Sequence, residues 1–299
     1  MPLVLDTNIF RLLGEGEISV DGLLACRNAG ISVHIADGSI VELLNQLSNG
    51  RFRWAAWLRA RDQLTAVLDY EEPILLGGRE GLWRAGIRAP VRPPVASDKI
   101  VEAVSSTSAW WRMFESAAGV EQMSHAVAEA GATISLKTED LPVAVDTFKE
   151  EWTSGFERTI SDDALVEAAR QHLPKRGDAQ AAARAVATEI AANLDALDPT
   201  ACPVPSIRLD AMIRVYVLLG LRSLRRQDPY DPKRHRNDSF DHDLLRYLAY
   251  PAAICTADRR LIAYVKASGT WQAQWVVHPK QLIEQGVIRS LVAMHWPAL

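Results

Sequence analysis

The chain has 299 residues, 48% of them hydrophobic and 23% charged, a balance that excludes a disordered protein and leaves room for a sizeable core. Its 33 basic and 37 acidic residues give a formal net charge of -4, so a polyanionic partner would have to be met by a local basic patch. Three scattered cysteines, Cys26, Cys202 and Cys255, argue against a disulfide framework or a structural zinc site. No basic, apolar leader precedes Asp6, and the most apolar run, Val215 to Leu221, is too short to span a bilayer. The expectation is a soluble cytoplasmic protein with no membrane partner.

Taken in chain order, Leu3–Leu5 reads as a short buried strand that ends at Asp6-Thr7-Asn8. A helix over Val20–Ala29 and a strand over Ile31–Ile35 follow, and then a helix that begins at Asp37-Gly38-Ser39. This β-α-β-α opening predicts a parallel sheet with helical crossovers. Residues 51–230 change character. Helix-compatible spacing runs through Arg51–Leu68, Asp98–Ala118, Glu139–Trp152, Ser161–Leu173, Ala179–Leu197 and Ile207–Leu224, with no clear strand between them. The α/β pattern returns with a helix over Asp241–Tyr250, a strand over Ala252–Thr256 and a helix over Arg260–Lys266. A strand over Trp271–Val277 and a helix starting in Lys280–Gln285 close the chain. The sheet is thus expected to come from both chain ends, residues 1–50 and 231–299, with 51–230 as an all-helical insertion.

Four acids stand where such a sheet would use them. Asp6 and Asp258 each close a strand, Glu42 lies in the helix after the second strand, and Asp241 opens the helix that leads to the Asp258 strand. Read one at a time, Asp6 and Asp258 are helix caps and Glu42 is half of a capping box with Ser39. As a set they can converge on one cleft. Asp241 is preferred over Asp238 and Asp243 in NDSFDHD because Leu244, Leu245 and Leu248 follow it on one helical face. Asp238 is then a cap or outer ligand.

The LDTN opening, Glu42 in SIVELL, Asp241 in NDSFDHDLL and Asp258 in ICTADRRL resemble the acidic positions of PIN-domain ribonucleases. The resemblance spans roughly the first 50 and last 70 residues. It implies a parallel-sheet, three-layer α/β/α PIN-like fold, catalysis by Asp6, Glu42, Asp241 and Asp258, and Mg²⁺ or Mn²⁺ held by the same acids. It also implies an RNA substrate and, for the toxin branch of the family, an antitoxin or regulatory protein as partner; the long middle segment departs from that small toxin type. Hard divalent ions take carboxylate oxygens, and a pair of them can activate water against a phosphodiester. Asn8, Ser39 and Thr256 are expected to orient the acids through hydrogen bonds.

Arg222, Arg225, Arg226, Lys233, Arg234 and Arg236 cluster ahead of Asp241 and are the expected RNA contacts. Trp54 and Trp57, among arginines, and Trp110-Trp111 read as core packing. His34, His242 and His278 have no ligand spacing. The alternatives are a structure-specific DNA nuclease on the same acids, or a PIN-like binding module without catalysis.

Overall fold

A computed structural model describes residues 1–75, 107–130, 244–249, 252–267 and 271–293. The strands are β1 (Leu3–Leu5), β2 (Val33–Ala36), β3 (Ile74–Leu75), β4 (Ala253–Cys255) and β5 (Val276–Val277). They form one five-stranded sheet, all parallel, in the order β3-β2-β1-β4-β5. Every residue of β1, β2 and β4 is buried. Alternate side chains point to opposite faces, so both faces of the sheet are covered, as an all-parallel sheet requires. The fold is α/β, and the two chain ends meet at its centre: Leu5 of β1 pairs with Ile35 on one side and Cys255 on the other.

The helices are α1 (Thr7–Glu15), α2 (Asp21–Asn28), α3 (Asp37–Ser48), α4 (Trp54–Thr65), α5 (residues 107–116), α6 (Val120–Ala130), α7 (Arg259–Ala267) and α8 (Gln285–Ala293). Helix α1 buries Ile9, Phe10 and Leu13 on one face and ends at Gly16, whose φ of 76° lets its N–H reach back to Leu12 and Leu13. Helix α4 buries Ala56, Trp57, Ala60 and Leu64 and crosses α1 at small residues. The Gly14 carbonyl accepts from Arg59 Nε at 2.9 Å and Nη2 at 2.6 Å across that crossing.

Trp57 and Trp111 are core residues, as the sequence predicts, and Trp54 packs partly buried against the same core. Phe10, Trp57, Trp111 and Phe114 form a chain of ring contacts with centroids 6.1–6.3 Å apart, which ties α5 to the sheet-bearing part of the molecule.

Three expectations are corrected. A strand does occur after residue 50: β3 pairs with β2, so sheet-forming chain continues at least to Leu75. Two residues are too few to show periodicity, and the turn before them is set by Asp69, whose Oδ1 accepts from Glu71 N (3.0 Å) and Glu72 N (2.9 Å). Trp271–Trp275 is a 3-10 turn, with strand pairing confined to Val276–Val277. Segment 279–281 is also 3-10, and the last α-helix begins at Gln285. The helices expected over Glu139–Trp152, Ser161–Leu173, Ala179–Leu197 and Ile207–Leu224 lie outside the described residues. Among the described residues no helix is long and apolar enough to cross a membrane.

Candidate functional site

The strand order reverses at β1. From β1 the chain builds outward through β2 to β3, then returns on the other side of β1 as β4 and β5. Open parallel sheets bind ligands at the carboxyl ends of the strands beside such a reversal. Asp6 leaves β1 at that edge, Asp258 leaves β4, and the Asp6 N–H donates to Cys255 O at 3.0 Å, fixing the two exits side by side.

Asp6 is the best-held group of the site. Its Oδ1 accepts from Thr7 N at 2.6 Å. Its Oδ2 accepts from Thr256 Oγ1 at 2.6 Å and from Asn8 Nδ2. Asn8 Nδ2 also reaches Thr256 Oγ1 at 3.0 Å, while its Oδ1 accepts from Ala257 N at 2.8 Å. Thr256 Oγ1 accepts in turn from Asp258 N at 3.0 Å. Asn8 and Thr256 therefore orient Asp6 and join both strand exits into one polar unit. Ser39 is placed differently: its hydroxyl donates to Leu5 O at 3.2 Å, and among the described residues it lines the cleft without bonding an acid.

Asp6 carries a raised pKa, about 7. Burial is the largest cause, followed by repulsion from Glu42, with a smaller push from Asp258; the bonds from Thr256 and Thr7 act against it. Burial also raises the Glu42 carboxyl, offset by the Thr7 hydroxyl, the Gln46 amide and the charge of Arg11. Glu42 accepts from Gln46 Nε2 at 3.0 Å. Helix α3 starts at Asp37, with Ala36 as its cap, so Ser39 and Glu42 are not a capping box. Asp258 does cap α7: its Oδ1 accepts from Arg260 N at 2.7 Å and Leu261 N at 3.0 Å.

A cleft opens beside Asp6 and Glu42, lined also by Asp37, Ser39, Leu244 and Tyr247; Asp258 is not part of its lining. Asp37 and Tyr247 are additions to the residues expected from sequence. Tyr247 Oη donates to Asp37 Oδ1 at 2.8 Å, lies 2.5 Å from Leu75 O, and accepts from Asp37 N at 3.0 Å. It thereby pins the segment after Asp241 to the ends of β2 and β3. Asp37 obeys the same rule that marks Asp6 and Asp258, an acid closing a strand, and that signal was available. Tyr247 had none.

The donor set suits a hard divalent cation: oxygen ligands only, with like charges crowded in a buried place that a cation would relieve. Among the described residues no three His, Cys, Asp or Glu side chains are grouped closely enough to hold a metal by themselves. Mg²⁺ is commonly held by one or two carboxylates, with water and substrate phosphate completing its shell. Asp238, Asp241 and Asp243 lie outside the described residues, as do Arg222, Arg225, Arg226, Lys233, Arg234 and Arg236. No protein-family model, curated protein or solved structure matches this chain.

Thiol chemistry has little support here. Burial pushes Cys26 up to about 11 and Cys255 well above its ordinary value, which keeps both protonated at neutral pH. His34 is buried, with Nδ1 2.5 Å from Glu72 O.

Proposed function

We propose that the chain is a divalent-metal-dependent endoribonuclease with a PIN-like fold, in a toxin, defence or RNA-processing role. One observation carries the reading: at the reversal point of a parallel sheet, Asp6 is buried against Glu42 and Asp258 and aimed by Thr7, Asn8 and Thr256. Asp6, with Glu42 or Asp258 beside it, would hold Mg²⁺ or Mn²⁺ by one or two carboxylates, water and substrate phosphate completing the shell. Asp241, outside the described residues, remains the fourth acid of this reading on its place in the sequence. When bound, such an ion supplies Lewis acidity at a phosphodiester and offsets charge on the leaving oxygen.

The chain's own residues supply the rest. Burial at the sheet edge lowers the local dielectric and strengthens each charge interaction in the cleft. Thr256 and Asn8 hold Asp6 in a single rotamer, so no reorganisation is needed when substrate arrives. The reaction is hydrolysis: water adds across one P–O bond, and no protein nucleophile is required.

The test is cleavage of labelled RNA in Mn²⁺. Asp6→Asn and Asp258→Asn should each lose cleavage by roughly a hundredfold or more, with thermal unfolding still cooperative. Undiminished cleavage by both variants, or by wild type in chelator, would overturn the proposal. Faster cleavage of flapped or branched DNA would reassign the substrate. A non-catalytic binding module is the second reading, favoured by the use of Asp6 and Asp258 as helix caps. Mn²⁺ titration calorimetry separates it, because a pure scaffold gives no metal-binding heat.

A further inference from the structure

The carboxyl edge of the sheet continues past the acids to a different kind of surface. Because every strand is parallel, the chain leaving β5 emerges on the same edge as the chain leaving β1 and β4. Thr256 N donates to Val277 O at 3.0 Å, so residues 256–260 and 278–280 leave the sheet as neighbours. Those exits carry Arg259, Arg260 and Lys280, all exposed, with His278 partly buried between them.

His278 is depressed by burial first, and then by the positive charges of Arg259 and Lys280, so both cations act on one ring. Among the described residues none of Arg259, Arg260 and Lys280 forms an ion pair. Asp258 Oδ1, the acid beside them, is committed to the backbone amides of Arg260 and Leu261. Glu284 is the next acid along the chain. His278 Nδ1 accepts from Lys280 N at 3.2 Å, and His278 N donates to Gln281 Oε1 at 3.0 Å. With Nδ1 engaged as an acceptor, the neutral ring carries its proton on Nε2. The surface therefore presents two guanidinium groups, one ammonium group and one imidazole N–H, all hydrogen-bond donors.

Donor-only side chains with unpaired positive charge match phosphate oxygens, and guanidinium does so in a two-point fork. The surface also answers a difficulty of the acidic cleft, which repels the anion it would have to cut. We propose that Arg259, Arg260, Lys280 and His278 form a phosphate-binding rim that seats the backbone of single-stranded RNA beside Asp258. The rim follows β4 and β5, one and two strand spacings (about 5 and 10 Å) from the Asp6 exit. This inference rests on the ribonuclease reading and adds the residues that deliver its substrate. They are separate from the 222–236 arginines expected from sequence.

The experiment measures binding of a short fluorescein-labelled single-stranded RNA to the full chain by anisotropy, in chelator, over a salt series. Wild type is compared with the triple variant Arg259→Gln/Arg260→Gln/Lys280→Gln, and with a triple glutamate variant. All three side chains are exposed, and equal melting temperatures check the fold. The glutamine variant should bind about tenfold or more weakly, and its slope of log affinity against log salt should shrink by about 2, for three lost contacts of about 0.7 each. Glutamate should weaken binding further. Unchanged affinity and slope in both variants overturns the rim alone, and tighter binding of single-stranded DNA overturns its assignment to RNA. Rim-dependent binding by a protein that never cleaves RNA in Mn²⁺ would sustain the rim and overturn the ribonuclease reading. Failure of wild type to bind RNA would overturn both.

Discussion

Asp6 is a charge held where charge is costly. Its raised pKa makes a directional statement about stability, because the folded chain binds a proton there more tightly than the unfolded chain. The favourable contribution is complete below the unfolded value of 3.8 and is lost as pH rises through about 7. Across that window the metal-free protein should lose a few kcal/mol, roughly 4 at most by the size of the shift. Asp6→Asn removes this titration. The stability of the variant relative to wild type should therefore move in its favour as pH is raised from about 4 to about 8 in chelator. Urea unfolding at several pH values measures the difference, and a flat difference would show that Asp6 does not titrate in this range. Thr7 has a plain role at this scale: its amide holds Asp6 while its hydroxyl serves Glu42 and lies 3.4 Å from Ser39 O.

The site is only as precise as the elements beneath it, and the α1–α4 crossing is the tightest of these. A Cβ on Gly14 would lie 2.3 Å from the Ala56 carbonyl oxygen and 2.8 Å from its carbon. Alanine's better helix propensity is worth about 1 kcal/mol, whereas overpacking costs about 1–3 kcal/mol, and here the obstacle is backbone that cannot rotate away. Gly14→Ala should therefore destabilise by about 2 kcal/mol, read as a lower urea midpoint at unchanged slope. A neutral or stabilising result would mean that the helices separate freely. The elements also mark what could be read in the sequence. β1 stands as expected because an apolar run stops abruptly at a polar turn, and α2, α3 and α4 fall within expected helices, whereas α1 was not foreseen. β3 was hidden by its shortness. Trp-Gln-Ala-Gln-Trp alternates like a strand yet winds into a 3-10 turn, since alternation describes exposure and not backbone pairing. The Tyr247–Asp37 bond could not be foreseen, because its partners lie 210 positions apart and nothing local to Tyr247 marks it.

For the whole molecule, the acidic cleft and the cationic rim divide one sheet edge between opposite charges, in a chain whose net charge is only -4. That division gives a global test of the metal reading. A ligand that binds only the folded state stabilises by mass action, about 2.7 kcal/mol at a hundred times its Kd. Saturating Mn²⁺ should raise the Tm of the wild-type chain by several degrees and leave Asp6→Asn nearly unmoved. Equal shifts in both proteins would place the ion elsewhere. The acids at the strand ends were legible because their chemistry is local to a strand and the turn after it. The rim was not, because Arg259 and Lys280 lie 21 positions apart in sequence and become one surface only when β4 and β5 lie side by side.

The central strand has one further consequence, for the time order of synthesis. β1 is synthesised long before one of its two neighbours, β4, and Asp6 takes a bond from Thr256, 250 positions later. A nascent chain can assemble β1, β2 and β3 first but must hold the other edge of β1 open until β4 has been made. Half of the polar unit is absent throughout that interval. If the proposed ribonuclease reading holds, the chain gains its strand-end acids as a set only after Asp258 has been translated, some 250 residues after Asp6.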